Sequence, residues 1–160
     1  MTFILPNNIN MSRVQGLIKL VKQNKGSMLL SELSDQAEEE IDNLIPIINI
    51  CKFLGLAKIE EDKIYLTDLG KHVNYRNYNS MIKEKLEEAE PIKTVLEIVE
   101  GSPATTDELV MNLQQKGIKE YTDANKLLLK ELLINWAVRA KLIFYNTKDD
   151  RWYLKSKSDI

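Results

Sequence analysis

Cysteine and histidine are almost missing from this chain, whose 160 residues include one of each, Cys51 and His72. One cysteine excludes an internal disulfide and fits a reducing compartment. One cysteine and one histidine fall short of the three or four nitrogen and sulfur ligands that a zinc site needs within one chain. The six glycines nowhere spell the GxxxxGK[ST] loop that cradles nucleotide phosphates. An excess of basic charge is missing too. With 22 basic against 24 acidic residues the net charge is −2, the wrong sign for a general polyanion binder. Residues 1–80 carry 9 Lys+Arg against 10 Asp+Glu, and residues 81–160 carry 13 against 14. The most apolar stretch, Leu44 to Ala57, is interrupted by Pro46, Asn49 and Lys52, which rules it out as a membrane span. Met1 to Pro6 offer no basic leader and are too short for a signal sequence core. The expected setting is cytoplasmic, without membrane insertion.

What is present reads as a soluble globular chain, 44% apolar and 29% charged, long enough for one domain or two very small ones. Ser12 can cap a helix whose Val14, Leu17, Ile18 and Val21 share one face, ended by Lys25-Gly26. Met28-Leu29-Leu30 reads as a short extended link. Ser31 then starts a second helix, with Glu32 and Asp35 near its first turn, where the dipole favours them. A third helix runs from about Glu40 to Leu54 and turns Ile41, Leu44, Ile45, Ile48 and Cys51 inward. Strands over 57–60 and 63–66 make a hairpin with a charged tip, and Thr67 opens a helix to about Tyr78.

The second half has a similar order. A helix of mixed charge over about Ser80 to Glu88 leads to Pro91, which suits the first position of the next helix. Ile92, Val95, Leu96 and Val99 form that helix's apolar face, and Gly101-Ser102-Pro103 stops it. Thr105 or Thr106 caps a helix to about residue 115, and Thr122 caps a long one to about Ala140. Leu142 to Tyr145 and Arg151 to Leu154 pair over residues 146–150. Three helices and a hairpin thus occur twice, over about 12–67 and 91–155. The fold class expected is mainly α with small β-hairpins (α+β), a tandem winged helix-turn-helix. The expected units are 1–78 and 79–160, the latter including the linker helix. Leu44, Ile48, Leu54, Leu66, Leu96, Leu132 and Trp136 are expected core residues.

The same segments resemble the AAA-associated C-terminal domain, found behind the ATP-binding subunit of nitrate/sulfonate/taurine-type ABC transporters. Pro6, Gly16-Leu17, Asp42-Asn43-Leu44-Ile45-Pro46-Ile47, Leu54-Gly55-Leu56-Ala57 and Leu66-Thr67-Asp68-Leu69-Gly70 carry the resemblance. Pro91, Trp136, Ala140, Leu142, Tyr145 and Trp152-Tyr153-Leu154 extend it. It implies association with an ABC-type ATPase subunit. With no ATPase on this chain, it either stands alone or is a fragment of a longer product.

No residue set suggests catalysis or a cofactor. Cys51 sits among Ile47, Ile48, Ile50 and Leu54, the setting of a core thiol. The acids Glu38-Glu39-Glu40, Glu60-Glu61-Asp62 and Glu84, Glu87, Glu88 and Glu90 fall on helix ends, a hairpin tip or a polar face, where solvated charge is the default. Glu38 to Glu40 also gain from a helix N-terminus there. A winged helix would present its third helix to a major groove and its hairpin to phosphates. In the first unit both places are acidic, which repels DNA. The second hairpin is basic, with Arg139, Lys141, Lys148, Arg151 and Lys155 as candidate contacts to a partner or to nucleic acid. Leu127, Ile134 and Val138 form a second apolar stripe on the long helix, a candidate interdomain or dimer contact. The function expected is a non-catalytic regulatory or protein-interaction domain, partnered by an ABC-type ATPase subunit or by its own copy. A DNA-binding winged-helix transcription regulator is the alternative.

Overall fold

Asn10, not Ser12, opens the first helix. Its Oδ1 accepts the Arg13 backbone N–H at 3.1 Å, and α1 then runs Met11–Gln23 with Val14, Leu17, Ile18 and Val21 buried. The computed structural model describes residues 2–74 and 76–155. It is a mixed α+β chain that divides into two compact units, Ile9–Met81 and a second made of Met1–Asn8 with Ile82–Ile160.

In the Ile9–Met81 unit, the stretch expected to be a plain link is a strand. β1 (Ser27–Leu29) pairs antiparallel with β3 (Lys63–Leu66), placing Met28 opposite Ile64. β3 also pairs with β2 (Ala57–Glu60), so the sheet order is β1-β3-β2. Leu30 begins α2 (Leu30–Ala37), with Glu32 Oε1 accepting the Leu29 N–H at 3.1 Å. α3 (Ile41–Phe53) continues through Pro46 and buries Leu44, Ile47, Ile48, Ile50 and Cys51. Two expected inward positions differ: Ile41 is half-buried and Ile45 is exposed. A helix this apolar all round leaves its phase open to one residue of rotation.

The hairpin strands fall where alternation placed them, and α1 and α3 lie against the sheet. Thr67 caps α4 (Asp68–His72): its Oγ1 accepts the Gly70 N–H at 3.1 Å and donates to the Gly55 carbonyl at 2.6 Å. Gly70 is required by space, since a Cβ there would come within 2.0 Å of the Leu56 carbonyl oxygen. The helix expected to reach Tyr78 ends at His72, and a separate α5 spans Tyr78–Leu86.

In the other unit, the N-terminal segment joins the chain at Glu90, whose N–H donates to the Phe3 carbonyl at 2.8 Å. α6 (Ile92–Gly101) has Pro91 at its cap position, not inside its first turn. The buried Glu90 carboxylate does the capping, accepting the Thr94 N–H at 2.9 Å and the Thr94 hydroxyl at 2.8 Å. Leu96 is half-buried, whereas Leu44, Ile48, Leu54, Leu66, Leu132 and Trp136 are buried.

α7 (Thr106–Gln115) is capped by Thr105, whose Oγ1 accepts the Glu108 N–H at 3.2 Å. The expected long helix is three pieces: a 3₁₀ turn over Asp123–Asn125, α8 (Lys126–Leu132) and a π-helical turn over Leu133–Val138. The wider turn lets Leu133, Trp136 and Ala137 all be buried. β4 (Ile143–Asn146) and β5 (Arg151–Leu154) close the unit. Trp152 also bridges to Ala104 and donates its indole N–H to Thr106 Oγ1 at 3.0 Å.

Candidate functional site

Register decides what the second hairpin displays. Ile143 pairs with Leu154, Phe144 with Tyr153, Tyr145 with Trp152 and Asn146 with Arg151. Because Ile143 and Trp152 are buried, the alternation of a strand sends Phe144, Arg151 and Tyr153 to the other face. There the Phe144 and Tyr153 rings stack, with centroids 5.2 Å apart and planes 8° from parallel, and Phe144 is 39% exposed.

Among the five expected cations, Arg151 shares this outward phase, and half-buried Lys155 continues it beyond the strand end. Lys148 is exposed in the connecting turn. Arg139 and Lys141 are exposed ahead of β4, Lys141 with a positive φ of 63°. The structure therefore brings Arg151 to the aromatic pair and leaves Arg139, Lys141 and Lys148 in the turns at the hairpin's two ends.

The acids of this hairpin are engaged locally. Tyr145 donates its hydroxyl to Asp150, and Tyr153 donates its hydroxyl to Asp149. Each carboxylate holds its phenol protonated to a higher pH than usual, chiefly through that hydrogen bond. Lys130 lies 4.2 Å from the Tyr145 ring centroid, a cation–π contact. Lys126 pairs with Asp107 at 2.9 Å. The Phe144–Tyr153 stack was not anticipated; fixing the four-residue turn over 147–150 would have paired the two rings.

The apolar stripe has two exposed members, Leu127 at 66% and Ile134 at 44%, and Val138 is half-buried. The expected packing of this stripe against another surface is therefore not supplied within its own unit.

The first unit is different in sign. Glu40 occupies the cap position of α3 without a side-chain capping bond and Asp42 lies in its first turn, while Glu60, Glu61 and Asp62 are exposed around the hairpin tip. Two acids expected at the start of α3 have other roles. Glu38 ends α2 with a φ of 55°, and Glu39 accepts two bonds from Arg13 Nη2 at 2.8 and 2.7 Å.

Residues 1–31 hold Arg13, Lys19, Lys22 and Lys25 with no acid, and residues 32–51 hold Glu32, Asp35, Glu38, Glu39, Glu40 and Asp42 with no base.

Cys51 is buried, and desolvation pushes its thiol up to about 12. His72 is exposed on α4, its Nδ1 2.6 Å from the Asp68 carbonyl oxygen. Among the described residues, no group of three or more His, Cys, Asp and Glu is placed to hold a metal ion. Among them, too, no helix is long and apolar enough to cross a membrane.

Residues 31–146 match the family described as the C-terminal AAA-associated domain. No curated protein and no solved structure matches the chain. The family match runs from α2 through the first hairpin, across both units, and into β4. It takes in most of the segments that carried the resemblance, and the chain belongs to the C-terminal AAA-associated domain family.

Proposed function

We propose that this chain is a non-catalytic regulatory or protein-interaction domain that works with an ATPase, specifically an ABC-type subunit of nitrate/sulfonate/bicarbonate-like transporters. The observation that carries the reading is the family match over residues 31–146. Each unit is read here as a winged helix. The order helix, strand, two helices and hairpin in residues 9–81 supports that, as does the same order in residues 92–154, with Ala104 in place of the first strand.

Two features favour a protein partner over DNA. The start of α3 and the tip of the first hairpin, the parts a winged helix presents to a duplex, carry acids. Leu127 and Ile134 expose apolar area, and covering it is favourable by roughly 25 cal/mol per Å². A second copy of the chain could cover that stripe as a two-fold dimer.

The alternative, a DNA-binding regulator, is favoured by Arg151 on the same hairpin face as the Phe144–Tyr153 pair. Fluorescence anisotropy with a long duplex, followed from low to physiological salt, separates the two. The proposal expects no saturable binding at physiological salt. Tight binding that weakens steeply with salt would support the regulator instead.

A further inference from the structure

Gly16 stands inside α1 with no role that the fold explains. Glycine in a helix interior is less stable than alanine, yet a Cβ at Gly16 would meet nothing within 4 Å, and the position is exposed. Neither a close internal approach nor a left-handed backbone asks for glycine here.

The surface on both sides of Gly16 is hollow. A cavity of about 390 Å³ lies where α1 meets α2 and α3, with Leu20, Leu33 and Leu44 on its wall. Another of about 490 Å³ lies between α1 and Val73, Asn74 and Tyr78, with Ile18 on the α1 side. Gly16 and Lys19 line both, so the two hollows flank a saddle of bare helix backbone.

The rim is cationic. Arg13 and Lys19 border the hollows as exposed cations, Lys22 donates its ammonium to the Val73 carbonyl, and Glu39 is the one carboxylate among the lining residues. Arg13 already holds Glu39 through Nη2 alone, which leaves its other nitrogens available to a second acid.

We propose that this saddle receives a helix of the ATPase partner, aliphatic on the face toward α1 and bordered by Asp or Glu. Helices approach most closely where the contact side chains are small, and Gly16 provides that point. Side chains one and two turns apart on the incoming helix can enter the two hollows, the pattern of a helix seated in a groove. Its acids then meet Arg13 and Lys19; a basic helix would meet like charge. The inference rests on the proposed function for the class of partner, and the binding geometry can be tested without it.

The probe is a fluorescent helical peptide of about 15 residues, with leucines at helical spacing and glutamates on both flanks, titrated with the full chain. A control peptide has lysines in place of the glutamates. The glutamate peptide should bind saturably and the lysine peptide roughly tenfold more weakly or worse. Gly16→Leu should weaken binding by roughly tenfold or more by filling the saddle, and Lys19→Glu should weaken it too. Gly16→Ala, with a thermal midpoint at or above that of the unaltered chain, shows that the helix accepts a side chain there. Equal binding of the two peptides, no saturable binding of the glutamate peptide, or binding unchanged by both Gly16→Leu and Lys19→Glu would overturn the inference. If the inference falls while the chain still co-isolates an ATPase subunit, the proposed function stands. If peptide binding behaves as expected while no ATPase co-isolates, the saddle stands and the proposed function falls.

Discussion

Burial sets the chemistry of Cys51. Its thiol is pushed up to about 12 by desolvation, and the thiolate is the reactive form. The native chain should therefore resist iodoacetamide at about pH 8 and react promptly once unfolded. Intact mass after timed labelling checks this, and prompt native labelling would contradict it. Leu132 is also buried, so Leu132→Ala should cost roughly 2–5 kcal/mol in chemical denaturation. Half-buried Leu96 should lose less on the same change. An unchanged midpoint for Leu132→Ala would show that its side chain supports no core.

Tyr121 adds a pH dependence. Burial first and the Glu120 charge second raise its hydroxyl to about 12, against a small opposing effect of a hydrogen bond to Asn7. The folded value lies above the unfolded value of about 10. Its contribution to stability is therefore complete below about pH 10 and lost as pH rises toward the folded value. Tyrosinate absorbance of the native chain should lag that of the chain in denaturant, and Tyr121→Phe should flatten the stability loss in this window. Coincident titrations would contradict it.

At the scale of elements, α1 permits a direct test of the unneeded glycine. Gly16→Ala should raise stability by about 0.5–1 kcal/mol, through helix propensity and a less flexible unfolded chain. Loss of stability would mean that something in the fold already occupies the space a Cβ would take. Elements were legible in the sequence where local rules act alone. The alternation in 57–66 placed the first hairpin, the second formed with its first strand at Ile143–Asn146, one residue later than the expected 142–145, and Thr67 and Thr105 cap helices that start where expected.

Long-range pairing was not legible. β1 is three residues long with no alternation to display, and its partner β3 lies far along the chain. Nor was the π turn at Leu133–Val138, because the apolar spacing of one such turn reads like that of the α-helix it continues. The candidate site divides the same way. Its cations could be counted in the sequence, but the Phe144–Tyr153 stack required the register of β4 on β5. The hollows beside Gly16 depend on how α1 meets α2, α3 and the residues Val73, Asn74 and Tyr78, which no local pattern encodes.

At the scale of the whole molecule, the chain belongs to an AAA-associated family, its two units carry exposed apolar and charged surfaces, and a basic N-terminal stretch precedes an acidic one. Interaction with another protein is the central claim. The most direct measurement is affinity isolation of the tagged chain from its own cells after mild crosslinking, with the co-isolated proteins identified and their ratio determined by mass spectrometry. An ABC-type ATPase subunit should be recovered in fixed proportion to the chain, and Gly16→Leu should reduce it. Recovery of the chain without any ATPase, or attached to duplex DNA, would contradict that claim.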